Sequence, residues 1–343
     1  WNLGNTLDAN PLISNAYGDR SVCTVDTETS WGMPLTTEEM IKTMAASGIK
    51  TIRIPVSWMD HIVSPDKDYT IDPAWLNRVK QITGWAVKYG MYAIINIHHD
   101  TYPAASGLKA GYGYYPSYTY EAVSLAYVEN IWSQVADTFK AYDQHVIFET
   151  LNEPRLRGDA HEWTYNSGCE ACRTAMKEIM KMNQKAVDTI RASGGNNTTR
   201  LIMVPSYCAS PDAALSSDFS MPSDSSGMLA LSVHMYSPYA FAMLDNAKGG
   251  TSAFTEAHKS ELLSTFSRLQ SKFSDNGYPV IIGEYGATNK NNLSDRVAWF
   301  SFFVKESTSR GMVPVLWDNN APANSDPQEA FGFFDRKNLT WYF

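Results

Sequence analysis

The sequence predicts an α/β fold, a closed (β/α)8 TIM barrel that occupies residues 1–343 as one domain. Three observations carry this. Short apolar runs rich in Val, Ile and Thr alternate with longer segments of helical period, the pattern of repeated βα units. The alternation supplies eight strand candidates, enough to close a parallel sheet on itself. At 343 residues and 44% hydrophobic composition, the chain can bury a large core, and no stretch has the composition of a disordered tail.

The predicted strands are 1–3, 51–55, 92–97, 146–151, 201–205, 229–234, 280–283 and 313–317. Helical segments fall at 37–47, 73–89, 121–142, 172–193, 255–276 and 293–310, with a short one at 211–215. Thr36 or Thr37 ahead of Glu38 and Glu39 is expected to cap the first helix, and Ser294-Asp295 the last. The first strand is short, and "NLTWYF" follows the last one without an eighth helical segment. An incomplete helical ring and a weak seam are therefore expected. Long connections follow the first, third and sixth strands and carry "TETSWGMP", "GYGYYPSY" and "MYSPYAFAMLD". Loops of that length in a compact domain are usually functional.

Charge and composition narrow the partners. Thirty-six acidic residues against 28 basic ones give a net charge of −8 with no Lys/Arg block, which argues against nucleic acid or an anionic membrane. No apolar run is long enough to cross a bilayer and no signal peptide precedes Trp1, so the chain is read as a soluble, processed or trimmed product. Ten Trp and 19 Tyr are many; most fill the core, but flat rings at a cleft suit stacking on sugar faces. Cys23, Cys169, Cys172 and Cys208 form no disulfide framework. Cys169-x-x-Cys172 is read as a local disulfide or plain thiols, because zinc would want a second CxxC or a His pair. Sequons at Asn196, Asn197, Asn292 and Asn338 are compatible with secretion.

Chemistry in a (β/α)8 barrel collects at the C-terminal strand ends, and here those ends are polar. The second strand carries Arg53, the third ends at His98-His99-Asp100, the fourth at Asn152-Glu153, the sixth at His234 and Tyr236, the seventh at Glu284, the eighth at Trp317. Packing alone does not explain six such ends. Within "FETLNEPRLRG", Glu149 and Glu153 lie about 13 Å apart along an extended strand, too far for a carboxylate pair. Glu284, across the mouth, is the expected partner of Glu153. Glu149 is expected to satisfy a buried donor such as Arg53 or a His.

The ordered motifs "WNLGNTLDA", "TIRIPVSW", "INIHHD", "FETLNEP", "SVHMYSPYAF", "IIGEYGA" and "LWDNN" resemble glycoside hydrolase family 5, most of all its subfamily 4 of cellulases and related β-glucanases. The resemblance spans nearly the whole chain. It implies a retaining double displacement with Glu284 as nucleophile and Glu153 as acid/base. Arg53 and Tyr236 would hold Glu284 ionised while Glu153 starts protonated. Asn152 would bond the 2-hydroxyl of the reacting sugar and Trp317 would form that sugar's floor. His98 and His234 would position the glutamates. Asn5, Asp8 and His99 match positions that touch more distant hydroxyls, and Trp31 and Trp58 are candidate stacking platforms. The expected partner is a β-glucan, cut internally by a secreted, monomeric enzyme without cofactor or metal. Xyloglucan, mannan and xylan are alternative substrates.

Two other classes compete. A metal hydrolase could use the His98-His99-Asp100 cluster, but neighbours on a strand point to opposite faces and would not share an ion. A binding protein that has lost catalysis would not need both glutamates with Arg53, Asn152 and Tyr236. An aldolase or phosphate-binding barrel would want a Schiff-base Lys or a Gly-rich loop, and neither is visible.

Overall fold

Seven strands pair in parallel and in chain order: β1 (Thr51–Ile54), β2 (Tyr92–Asn96), β3 (Val146–Glu149), β4 (Ile202–Pro205), β5 (Leu229–Met235), β6 (Val280–Tyr285) and β7 (Val313–Leu316). The structure is a computed structural model, and it describes residues 1–10, 24–64, 68–103, 107–323 and 326–342. Cys23 lies outside the described residues. Strands β3 to β6 are buried along their whole length, as parallel strands are when helices cover one face and a packed lumen fills the other.

The helices are α1 (Glu38–Ala46), α2 (Pro73–Lys88), α3 (Glu121–Phe139), α4 (Glu170–Ala192), α5 (Pro211–Leu215), α6 (Tyr239–Ala242), α7 (Glu256–Lys272) and α8 (Leu293–Thr308). Thr37 caps α1 by accepting the Met40 N–H, and Asp72 caps α2 by accepting from Ala74, with Pro73 at the first helical position. The cap expected at Ser294-Asp295 is corrected. Asn292 precedes α8, and the Asp295 carboxylate instead accepts the Phe254 N–H at 2.8 Å.

The first predicted strand is present as a short eighth stave. The Asn2 N–H donates to Leu316 O at 2.7 Å while Leu3 N–H donates to Arg53 O at 2.9 Å, so residues 1–4 join β7 to β1 and close the barrel. The Asn2 side chain adds bonds to Gly283 O and Leu316 O at 2.9 and 3.1 Å. Among the described residues no α-helix follows β7, and a small antiparallel pair, β8 (Phe334–Asp335) and β9 (Thr340–Trp341), comes after it. Hydrogen bonds bridge the seam at which weakness is expected. Buried Arg336 donates to Gly4 O at 2.6 Å and Asp318 O at 2.7 Å, and Asp318 accepts the N–H groups of Phe333 and Phe334.

The lumen is layered. Ile94, Ile147, Met203, Ala230, Ile281 and Val315, one from each of six strands, form an apolar plug. Two residues further along four of these strands come Asn96, Glu149, Ser232 and Gly283, level with or above Arg53 on β1. The strand period of two thus lifts an apolar floor into a polar layer at the C-terminal mouth.

Two sequons are closed to modification: Asn197 is fully buried with its amide donating to Ala136 O at 2.7 Å, and Asn292 is also buried. No described helix is long and apolar enough to cross a membrane.

Candidate active site

Arg53 organises the polar layer. Its Nε and Nη2 lie 2.8 and 2.7 Å from Glu149 Oε2, Nη1 donates to Glu284 Oε1 at 2.7 Å, and Nη2 donates to Asn152 Oδ1 at 2.6 Å. Burial alone would lower its pKa, but Glu149 and Glu284 outweigh that and raise it. A guanidinium offers five donors in a fixed fork, and here they align residues from β1, β3, β6 and the loop after β3. Glu149 also accepts from Asn96 Nδ2 at 2.9 Å and from the Ser232 hydroxyl at 2.6 Å. It has no oxygen left for the cleft.

Glu153 and Glu284 converge across the mouth. One carboxylate oxygen of each, and a ring nitrogen of His234, lie within 4.8 Å of one another. Glu284 Oε2 accepts the Tyr236 hydroxyl at 2.8 Å, so both its oxygens are held. A register shift between Val233 and His234 brings His234 opposite Glu284 on β6, an example of a bulge re-aiming a side chain at a barrel rim. Gly283 leaves room for this: a Cβ there would sit 3.3 Å from Glu149 Oε1 and from His234 Nε2.

His234 Nδ1 is 2.8 Å from Glu153 Oε1, and its Nε2 is 3.4 Å from Arg53 Nη2. Arginine only donates, which leaves the ring proton on Nδ1, facing Glu153. Burial would lower His234, yet Glu284 and the bond to Glu153 raise it. Burial would raise Glu153, yet the His234 bond and charge, with Arg155, lower it. The bond to His234 thus works against the protonated Glu153 that a double displacement starts from.

The remaining predicted residues divide. Asn5, Trp31, His98, His99, Asn152 and Trp317 line a cleft of about 1290 Å³ together with the two glutamates. Trp317 is nearly parallel to the His98 ring, at 6.1 Å, and Gly4 lets it lie flat, since a Cβ on Gly4 would come within 2.8 Å of the indole. His98 bonds to Asn96 and reaches Glu149 only through that amide. Its pKa is pushed well down by burial and by His99 and Arg53. Trp31 is exposed beside His99, with ring centroids 5.6 Å apart. Trp58 is corrected: it is fully buried and its indole N–H donates to Asn96 O at 2.8 Å, so it presents no platform. Asp8 is also fully buried, its carboxylate accepting the N–H groups of Asn5 and Thr6 at 3.0 and 2.7 Å. It shapes the Asn5 turn.

The strand argument against a shared ion at His98-His99 does not hold in space. Strand β2 ends at Asn96, the two rings lie 4.4 Å apart, and their nitrogens come within 4.8 Å of an Asp8 oxygen. Beyond a strand end the alternation of faces lapses. Asp100, the third member expected there, turns inward to accept from Trp58, Met59 and Tyr127.

Sequence reasoning missed Trp163, Glu329 and Phe331, which also line the cleft. Trp163 is 62% exposed, and the Arg155 guanidinium stacks on it at 3.9 Å. The tryptophan itself was the available signal. Glu329 and Phe331 come from the loop after β7, where no motif marks them. Cys169, Cys172 and Cys208 are free thiols.

Comparison with known proteins agrees with this fold. The profile of the family described as Cellulase (glycosyl hydrolase family 5) matches residues 16–323. Endoglucanase B of Clostridium cellulovorans is 40% identical over 99% of this chain and 70% of its own length. A family 5 lichenase from Caldicellulosiruptor sp. F32, solved with cellotetraose, superposes with a TM-score of 0.90 at 41% identity, covering 100% of this chain and 89% of that one. A broad-specificity subfamily 4 endoglucanase from Ruminococcus champanellensis with bound cellotriose gives 0.87 at 39% identity, covering 100% and 92%. The chain spans 62% and 38% of the length of two further curated relatives. The chain belongs to glycosyl hydrolase family 5, the cellulases.

Proposed function

We propose that this family 5 enzyme is a retaining endo-β-1,4-glucanase that cleaves cellulose-type and mixed-linkage β-glucans, with Glu284 as nucleophile and Glu153 as acid/base. One observation carries the mechanism: carboxylate oxygens of the two residues lie within 4.8 Å. Retention uses carboxyl groups about 5 to 5.5 Å apart, whereas inversion needs about 6.5 to 9.5 Å for an interposed water.

In the first step Glu284 attacks the anomeric carbon, the glycosidic C–O bond breaks, and Glu153 gives its proton to the departing oxygen. A sugar filling the cleft excludes water and raises the cost of charge on Glu153, which favours its protonated form, the proton being taken up from solvent as the sugar binds. Once Glu284 is an ester, its negative charge is gone. Glu153 then takes a proton from water, whose oxygen attacks the same carbon and releases Glu284. Asn152, with its carbonyl held by Arg53, has its NH2 available for the sugar 2-hydroxyl. Trp317 supplies the flat floor and Trp31 a more distant platform.

The same reading makes the enzyme secreted, because a polymer is met outside the cell, and monomeric, because the described residues of one chain bring both glutamates and their supports together. The residues form one catalytic domain. The test is proton NMR of the first product released from barley β-glucan, alongside product profiles on xyloglucan, mannan and xylan. A β-anomer formed first supports retention. An α-anomer, or inactivity on all four polymers, overturns the proposal.

A further inference from the structure

We propose that His161, Cys169 and Cys172 form a binding site for a thiophilic divalent cation of the zinc type, placed on the loop that carries one wall of the cleft. His161 Nδ1 and the two sulfurs all lie within 4.8 Å of one another, and Cys169 Sγ is 3.9 Å from that nitrogen. Zinc bonds of about 2.3 Å to sulfur and 2.0 Å to nitrogen at tetrahedral angles place such atoms about 3.5 Å apart. The His161–Cys169 pair needs a contraction of about 0.4 Å, and the other two separations, which lie within 4.8 Å, need at most roughly 1.3 Å.

The fourth vertex has a candidate too. Asp159 Oδ1 is 3.3 Å from His161 Nδ1, about the edge of a tetrahedron of nitrogen and oxygen ligands. Without a cation, the Nδ1 proton is shared with Asp159; a bound cation would take its place and leave Asp159 or a water to complete the set. Cys169 immediately precedes α4, whose first-turn N–H groups favour a thiolate, and Cys172 sits one turn further along the same helix face. Both thiols are free.

The loop is already positioned for this. The Tyr207 hydroxyl donates to His161 O at 2.8 Å, Cys208 Sγ donates to Glu162 O at 3.0 Å, and Glu162 pairs with Arg155 at 3.1 Å. A cation would tie residues 161–163, and with them Trp163, to the start of α4. The sequence spacing hides the site, because one histidine eight residues upstream becomes a neighbour only when the loop folds back.

The test uses the whole chain purified under reductant and without chelator, with its metal content measured and the zinc then replaced by Co2+. One bound zinc per chain is expected, with a thiolate-to-cobalt charge-transfer band that Cys169→Ser abolishes. His161→Gln should weaken Co2+ binding by about tenfold or more, and Cys208→Ala should retain the band. Absence of Co2+ uptake by the reduced chain overturns the site, as does an unchanged band in both ligand variants. Recovery of Cys169 and Cys172 as a disulfide, in protein never exposed to chelator or oxidant, overturns it as well.

Discussion

Arg53 Nη1 meets Glu284 Oε1 at 2.7 Å, while the same guanidinium holds the fully buried Glu149. Removing the arginine should therefore do two separable things. Arg53→Met leaves Glu149 buried without its cation and is expected to cost about 3 to 5 kcal/mol of stability. Urea unfolding of Arg53→Met and of Arg53→Met/Glu149→Gln checks this. The double variant should recover much of the loss, and if it does not, the charge argument is wrong.

Glu284→Gln keeps the shape of the cleft and removes the carboxylate proposed as nucleophile. Turnover of β-glucan should fall by about 10^4-fold or more while cellotetraose binding persists, read by calorimetry. Loss of binding in proportion to turnover would show that Glu284 serves mainly to hold the sugar.

Glu153→Gln separates the two chemical steps. An aryl cellobioside with a good leaving group should still form the glycosyl ester, and added azide should then restore turnover and yield a β-glycosyl azide. Failure of azide to rescue would count against the acid/base role.

Trp31, the proposed platform, and Trp58 provide a contrast between an exposed and a buried ring. Trp31→Ala should raise KM for long oligosaccharides with stability within about 0.5 kcal/mol of the parent. Trp58→Ala should lose about 3 to 5 kcal/mol, because its buried side chain leaves a cavity. Equal effects on stability would contradict the burial assigned to one of them.

Asp8 makes a pH prediction. Burial raises its pKa from 3.8 to about 6 against the pull of the Asn5 and Thr6 N–H groups. Between those values the folded state binds more protons than the unfolded one, so this residue's contribution falls as pH rises through the window. The size is about 3 kcal/mol. Stability measured from pH 4 to 7 should therefore show a more favourable slope in Asp8→Asn than in the parent. Parallel curves would refute the assignment.

Much of this was legible in the chain. Strand and helix positions followed from period and composition, because a buried parallel strand and an amphipathic helix must each repeat their apolar residues at their own pitch. The distance along one strand was enough to separate Glu149 from Glu153. What period could not show was where side chains go once a strand has ended, and so the His98-His99 pair, the bulge at His234 and the inward turn of Asp100 came only from three dimensions. Trp58 was misread for a related reason: the sequence marks a tryptophan at a strand end but not which way its ring faces.

By itself the sequence determined the barrel, its polar rim and the pairing of Glu153 with Glu284 across it. Tertiary structure alone decided which donors reach which oxygens: that Arg53 spends itself on both Glu149 and Glu284, that the His234 proton faces Glu153, and that Arg336 seals the seam. Periodicity is a property of neighbours in the chain, whereas a hydrogen bond depends on atoms that only closure of the barrel brings within 3 Å.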